Sequence, residues 1–217
     1  MFIVSLSGNS GCGKSTMLKA LHTALKQEHE FDACVFDESL FHHPQLSRMF
    51  ERPQDWALPI QVNFLLQRAA ALLRLVESRP ETLVLMERSI EEDELFFDYY
   101  VERGHIEMQA RDAYRVLQRH FASRLPAVGC NIYLRGEVPI LQARIEQDME
   151  DGRRPRELAG VQLARYLEDI GRIYDVWAAE KRRLMNTSSL WLEGHDVTDV
   201  GRTADVLMKA FQESLHA

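Results

Sequence analysis

Hydrophobic and polar positions alternate between two kinds of segment along the chain. Short apolar blocks rich in Val, Ile, Leu and aromatic residues occur at FIVSLS (2–7), ACVFDE (33–38), TLVLME (82–87), CNIYLR (130–135) and SLWLEG (189–194). Each is too short for a helix and reads as a buried strand. Between them run longer segments whose apolar positions recur at helical spacing. These predict helices near 14–27, 44–51, 55–77, 89–102, 107–123, 138–150, 161–185 and 201–214. Five strands separated by helices predict an α/β fold: a parallel sheet covered on both faces, with ligands at the carboxyl ends of its strands. At 217 residues the chain suits a single domain. A domain of that size buries roughly 70% of its unfolded surface. No repeat, low-complexity tract or linker interrupts the pattern.

One segment breaks the apolar logic of its neighbours. WALPIQVNFLLQRAAALL (56–73) should be a buried helix, yet Gln61 and Arg68 lie within it. Seven residues at about 100° each return to within about 20° of the same direction. The amide and the guanidinium therefore share a helix face, and a shared polar target would explain both.

Composition narrows the classes of partner. The chain is 46% hydrophobic and 27% charged, with a formal net charge of −7. That balance argues against nonspecific binding to nucleic acid or an acidic membrane, but allows a local basic pocket for a small anion. Cys12, Cys34 and Cys130 are too widely spaced to suggest a zinc site or a disulfide framework, and a reduced, cytoplasmic setting is expected. MFIVSLS lacks the basic start of a signal peptide, and no apolar stretch is long enough to span a bilayer.

The chemistry begins at GNSGCGKST (8–16), which follows the first strand and opens the first helix. It fits G-x-x-x-x-G-K-[ST], a phosphate-binding loop. Gly8, Gly11 and Gly13 let the backbone turn its N–H groups inward, and the following helix N-terminus favours an anion. Lys14 would reach the β- and γ-phosphates, the Ser15 hydroxyl would ligate Mg²⁺, and Thr16 would support the helix start. Asn9, Ser10 and Cys12 complete the expected nucleotide-binding loop, with Cys12 as a small neutral spacer. The loop implies nucleotide binding without specifying the reaction.

Three further segments carry charge at places where a phosphoryl group could be handled. LVLMERS puts Glu87, Arg88 and Ser89 just past the third strand. Glu87 could hold Mg²⁺ and Arg88 could neutralise phosphate oxygens. VFDES ends the second strand with Asp37 and Glu38, whose side chains alternate, so one can face the crevice and accept a proton from an attacking hydroxyl. EDGRRPRE (150–157) places Arg153, Arg154 and Arg156 on a loop, where cations can close over a nucleotide.

Together these elements resemble the deoxyribonucleoside kinases. The resemblance rests on GNSGCGKS, FDES, FERPQDWALPIQVNFLLQR, ERSIEED and GRRPRE, supported by NIYLRGEVPILQARI and RYLEDIGRIYDVW, and covers about residues 3 to 177. It implies a phosphate-loop kinase fold with an arginine-containing lid near 150–158. The implied reaction is transfer of the γ-phosphoryl group of ATP, with Mg²⁺, to the 5′-hydroxyl of a deoxyribonucleoside. By the same matching, Glu38 is the base for that hydroxyl and Arg88 lies beside it, Lys14 acts on the phosphates, and Glu87 is the Mg²⁺-associated acid. Gln61 pairs with the nucleobase, Trp56 walls the pocket, and Arg68 with Asp93 marks members that take cytosine or purine bases. Glu157 has the spacing of the glutamate that contacts the sugar 3′-hydroxyl, and family members are commonly dimers.

The chain departs from the family at three points. Ser39, rather than proline, follows Glu38; Phe50 stands where a tyrosine commonly contacts the sugar; and the lid approach is longer and more acidic, with Asp148 near an expected basic position. The competing readings are a kinase of a nucleoside monophosphate or other nucleoside-like metabolite, and a nucleotide-dependent regulatory protein. The second lacks an N-K-x-D or switch-like D-x-x-G signature. The adjacent His42 and His43 read as polar loop, and Tyr166, Tyr174, Trp177 and Trp191 as core or interface.

Overall fold

A computed structural model describes residues 1–154, 158–184, 190–194 and 198–216. Its strands are β1 (Phe2–Gly8), β2 (Cys34–Phe36), β3 (Leu83–Glu87), β4 (Val128–Leu134) and β5 (Leu190–Glu193). The helices are α1 (Lys14–Glu28), α2 (Leu46–Glu51), α3 (Pro53–Ser78), α4 (Asp93–Glu102), α5 (Met108–Ala122), α6 (Val138–Glu150), α7 (Gly160–Leu184) and α8 (Val200–Leu215). All strand pairs are parallel, in the order β2-β3-β1-β4-β5. The expected α/β architecture is therefore present.

Side-chain alternation divides the sheet's two faces. Val4, Leu6, Leu83 and Leu85 join Leu21 and Leu25 of α1 and Leu207 and Phe211 of α8 in one core. Ile3, Val84 and Met86 point the other way and pack with Leu72 of α3. A further apolar cluster ties α3 to α4 and α5 through Leu65, Phe97 and Tyr114. Ser5 and Ser7 alternate with Val4 and Leu6 along β1, yet both are fully buried.

This strand order brings three chain segments together. The ends of β2, β3 and β1 are consecutive along the sheet, so Glu38, Glu87–Arg88 and the phosphate loop lie side by side. Gly8 shows how tightly the loop leaves the sheet: its φ is +135°, and a Cβ there would come within 2.2 Å of the Leu134 carbonyl oxygen. Only glycine fits such an approach.

Two boundaries differ from the sequence-based expectation for local reasons. The second strand stops at Phe36, because Asp37 turns its carboxylate to accept the Ser39 N–H at 2.9 Å and caps a 3₁₀ turn over Glu38–Phe41. A proline at position 39 would have no N–H to give. We expect Asp37→Ala to lower stability by about 1 kcal/mol in a denaturant melt. Helix α4 begins at Asp93 rather than near residue 89, because the Ser89 N–H is drawn to the Glu92 carboxylate in a turn.

Candidate active site

The phosphate loop ends at Gly13, whose φ of 96° leads into α1. The Lys14 side chain folds back along the loop and donates from Nζ to the carbonyls of Gly8 at 3.1 Å and Asn9 at 2.8 Å. It is thus held against the loop, and the residue is only 5% exposed.

Arg88 is the centre of the charged cluster. Its backbone adopts φ 58°, a conformation costly for a residue with a Cβ, and such strain gathers at functional sites. The guanidinium pairs with Glu38 through Nη1, lies over the ring face of Phe96 at 4.5 Å from its centre and donates from Nε to Tyr174 Oη at 3.0 Å. Burial alone would raise the Glu38 pKa. The combined attraction of Arg88, Lys14, Arg68 and His42 outweighs it and lowers the value to about 2. Glu38 is thus ionised at neutral pH.

Arg68 and Asp93 form a second buried pair, 1% and 4% exposed. Nε and Nη2 donate to the two Asp93 oxygens, each at 3.1 Å, in the two-pronged geometry of an arginine–carboxylate pair. Nη1 donates to the carbonyls of Glu87 at 3.0 Å and Arg88 at 3.4 Å. Arg68 therefore also clamps the strained turn that carries Arg88. Burial opposes the arginine's charge, but the Asp93 carboxylate overcomes this and holds its pKa above the ordinary value.

A small cleft of about 60 Å³ connects these groups. Its wall includes Ser10, Glu38, His42, Met49, Phe50, Gln61, Arg88, Asp93, Arg154 and Tyr166. Gln61, 4% exposed, donates from Nε2 to the Met49 thioether at 3.5 Å, a weak acceptor that a stronger one would displace. Phe50 meets Tyr166 edge-on, with ring centres 6.1 Å apart.

Some expected pocket residues lie elsewhere. Trp56 does not line the cleft; it is five positions before Gln61, about 140° round the helix, and packs with Arg48, 5.5 Å above its ring, and with His43. Arg68 stands behind Asp93 rather than in the wall. The arginines of the expected lid separate: Arg153 is bound by Asp148 and Asp151, whereas Arg154 reaches the cleft. The acidic departure at Asp148 thus has a local partner. Arg156 and Glu157 lie outside the described residues.

The expected metal site can be tested against its donors. Glu87 Oε1 is buried with no hydrogen-bond partner among the described residues. Burial raises the Glu87 pKa, and Lys14 and Ser15 offset this only in part. An unmatched carboxylate oxygen and a serine hydroxyl beside a phosphate loop fit a hard divalent cation such as Mg²⁺.

The sequence-based reading passed over Glu92 and read Tyr174 only as core or interface; it is in the core, at 1% exposure, and its hydroxyl also bonds to Arg88 and Glu92. Glu92 has no exposed surface and joins Ser5, Ser7, Ser89 and Tyr174. The available signal was the pair of serines two positions apart on a strand buried on both faces, since such hydroxyls need a polar partner.

A parallel sheet whose central strand runs into a phosphate-binding loop, with a glutamate, an arginine and a glutamine converging on an adjoining cleft, defines a phosphate-loop phosphotransferase. The deoxynucleoside kinase family model matches residues 4–216. The chain belongs to that family and is a deoxynucleoside kinase-type phosphotransferase. Deoxyadenosine kinase from M. mycoides, in a structure with the products dCMP and a flexible dCDP, superposes with a TM-score of 0.69 at 16% identity, covering 98% of this chain and 100% of that one. The same enzyme with bound dCTP gives a TM-score of 0.68 at 16% identity, covering 98% of this chain and 100% of that one. With bound dATP it gives 0.65 at 16% identity, covering 96% and 98%. None of the curated proteins matches the chain in sequence. Among the described residues, no helix is long and apolar enough to cross a membrane.

Proposed function

We propose that this protein transfers the γ-phosphoryl group of ATP to the 5′-hydroxyl of a deoxyribonucleoside carrying a purine or cytosine base. The observation that carries this reading is the convergence of Gln61, Asp93, Glu38 and Arg88 on one cleft that also reaches Ser10 of the phosphate loop. The amide and carboxylate lie where a base edge can pair with them. In this reading the Glu38–Arg88 pair stands between the base and the phosphates. The structures of the M. mycoides enzyme with dATP, dCTP and dCMP support a pocket for purine and cytosine deoxynucleotides.

In this reading Glu38 accepts the 5′-hydroxyl proton as the oxygen–phosphorus bond forms and the bond to the β-phosphate oxygen breaks, releasing ADP. Arg88, Lys14 and the lid's Arg154 neutralise charge on the moving phosphoryl group, so the catalytic load is positioning and electrostatics. Mg²⁺, held by Ser15 and Glu87, would neutralise charge on the phosphate oxygens. Among the described residues, Arg88, Arg154 and His42 are the basic groups in the cleft wall, and Glu38 already matches Arg88. A monophosphate acceptor would need cations for its own phosphate beside these.

The test is product formation with Mg·ATP and a panel of nucleosides, deoxynucleosides and monophosphates, read by mass. A 5′-monophosphate from deoxyadenosine, deoxyguanosine or deoxycytidine is expected. Diphosphates alone would instead make it a monophosphate kinase. In the same assay Gln61→Ala should lower kcat/KM by about 5- to 150-fold, the equivalent of roughly 1–3 kcal/mol for polar groups left unpaired. The Michaelis constant for ATP should change little.

A further inference from the structure

Arg88 has a second anchor that the transfer reaction itself does not call for. We propose that Glu92, acting through the Tyr174 hydroxyl, is a positioning residue that keeps the Arg88 guanidinium aimed at the phosphoryl group while Glu38 takes up the acceptor's proton. The inference deepens the nucleoside kinase reading and rests on it.

The hydrogen bonds run in one direction. Glu92 Oε1 accepts from Ser5 Oγ at 2.9 Å, Ser7 Oγ at 2.9 Å and the Ser89 N–H at 2.8 Å. Its other oxygen accepts from Tyr174 Oη, also at 2.9 Å. Four donors from β1, the turn after β3, and α7 thus hold one carboxylate that has no exposed surface. A phenol has a single hydrogen to give. Because Tyr174 gives it to Glu92, its oxygen lone pairs are left to face Arg88 Nε, 3.0 Å away. The Tyr174 ring is held independently, by Phe96, Tyr133 and Trp177 at centre-to-centre distances of 6.1, 6.2 and 5.9 Å.

Arg88 is consequently fixed from three sides: Nε by Tyr174, its face by Phe96, and Nη1 by Glu38. These anchors respond differently to the reaction. When the 5′-hydroxyl proton passes to Glu38, that carboxylate loses its charge and its hold on Arg88 weakens. The Glu92–Tyr174 anchor takes no part in the proton transfer and does not line the cleft. It keeps the guanidinium in place when the phosphoryl charge must be met, and a misplacement of about 1 Å at that moment can cost on the order of 10²-fold in rate.

Tyr174→Phe removes the hydroxyl and keeps the ring. It should lower kcat by about 10- to 100-fold, with the Michaelis constants for nucleoside and ATP changed by less than about twofold. A second readout needs no turnover. The Arg88 Nε–H should give an exchange-protected ¹⁵N resonance in the wild type and lose that protection in Tyr174→Phe. An unchanged kcat would overturn the proposal. So would a variant whose kcat and both Michaelis constants worsen together with its melting temperature, since that is a packing role alone. A wild-type protein that phosphorylates no nucleoside would overturn the functional reading, and the Nε–H resonance would then decide whether the anchor exists.

Discussion

Glu38→Gln is expected to lower phosphoryl transfer by about 10²–10⁴-fold, the range for removing a positioned general base. The amide keeps the side chain's size but can neither take the 5′-hydroxyl proton nor match the charge of Arg88. Binding of ATP at the phosphate loop should survive, so single-turnover rates with saturating Mg·ATP are the measurement to make. The pH dependence adds a second expectation. Glu38 has its pKa lowered from 4.5 to about 2 because Arg88, Lys14, Arg68 and His42 together outweigh its burial. A carboxylate with that value is already ionised through the whole neutral and mildly acidic range. The acid limb of kcat/KM should therefore not contain a Glu38 step near 4.5. A base this weak still suffices in a loose transition state, where the attacking oxygen carries little bond order and needs mainly to be oriented.

The same shift has a consequence for stability. A group whose pKa is depressed on folding contributes stability at pH values above its unfolded value and loses it as pH falls through the folded one. For Glu38 the contribution is complete above 4.5 and disappears as the pH approaches about 2. It amounts to roughly 3 kcal/mol at neutral pH. The difference in melting temperature between wild type and Glu38→Gln should accordingly shrink as the buffer is taken from neutral toward strong acid. A pH-independent difference would contradict the electrostatic account.

Arg68→Met is expected to cost about 3–5 kcal/mol of folding stability, because it leaves the Asp93 carboxylate buried without its partner. Pairing it with Asp93→Leu should recover most of that loss, since two apolar side chains of similar volume can replace a buried ion pair at little cost. Recovery should be incomplete by about 1–2 kcal/mol, because Arg68 Nη1 also holds the carbonyls of Glu87 and Arg88. Denaturant melts of the wild type, the single variant and the double variant test both parts. Equal losses in the single and double variants would show that the backbone contacts, not the pair, dominate. In the nucleoside panel, the double variant should lose its preference among bases while keeping its affinity for ATP, because Asp93 lines the end of the cleft proposed for the base and Arg68 holds it there.

The chain's linear pattern determined much of this. Alternating apolar blocks and helical stretches sufficed for the five-stranded parallel sheet, because strand burial and helix periodicity are local properties of sequence. GNSGCGKST identified the phosphate loop, because its glycines, lysine and serine act through a backbone turn made by adjacent residues. The seven-residue spacing of Gln61 and Arg68 likewise put both on one side of α3. Tertiary structure decided what those side chains meet. It set Gln61 in the cleft wall and drew Arg68 behind it, onto Asp93 and the Arg88 turn. It turned Trp56 away from the cleft and divided Arg153 from Arg154. It also joined Glu92 to Ser5, Ser7 and Tyr174, partners more than eighty residues distant in the chain. Such partners come together only through the order of strands in the sheet and the crossing of α7 over it. A buried carboxylate needs donors from every side, and no local spacing encodes their convergence.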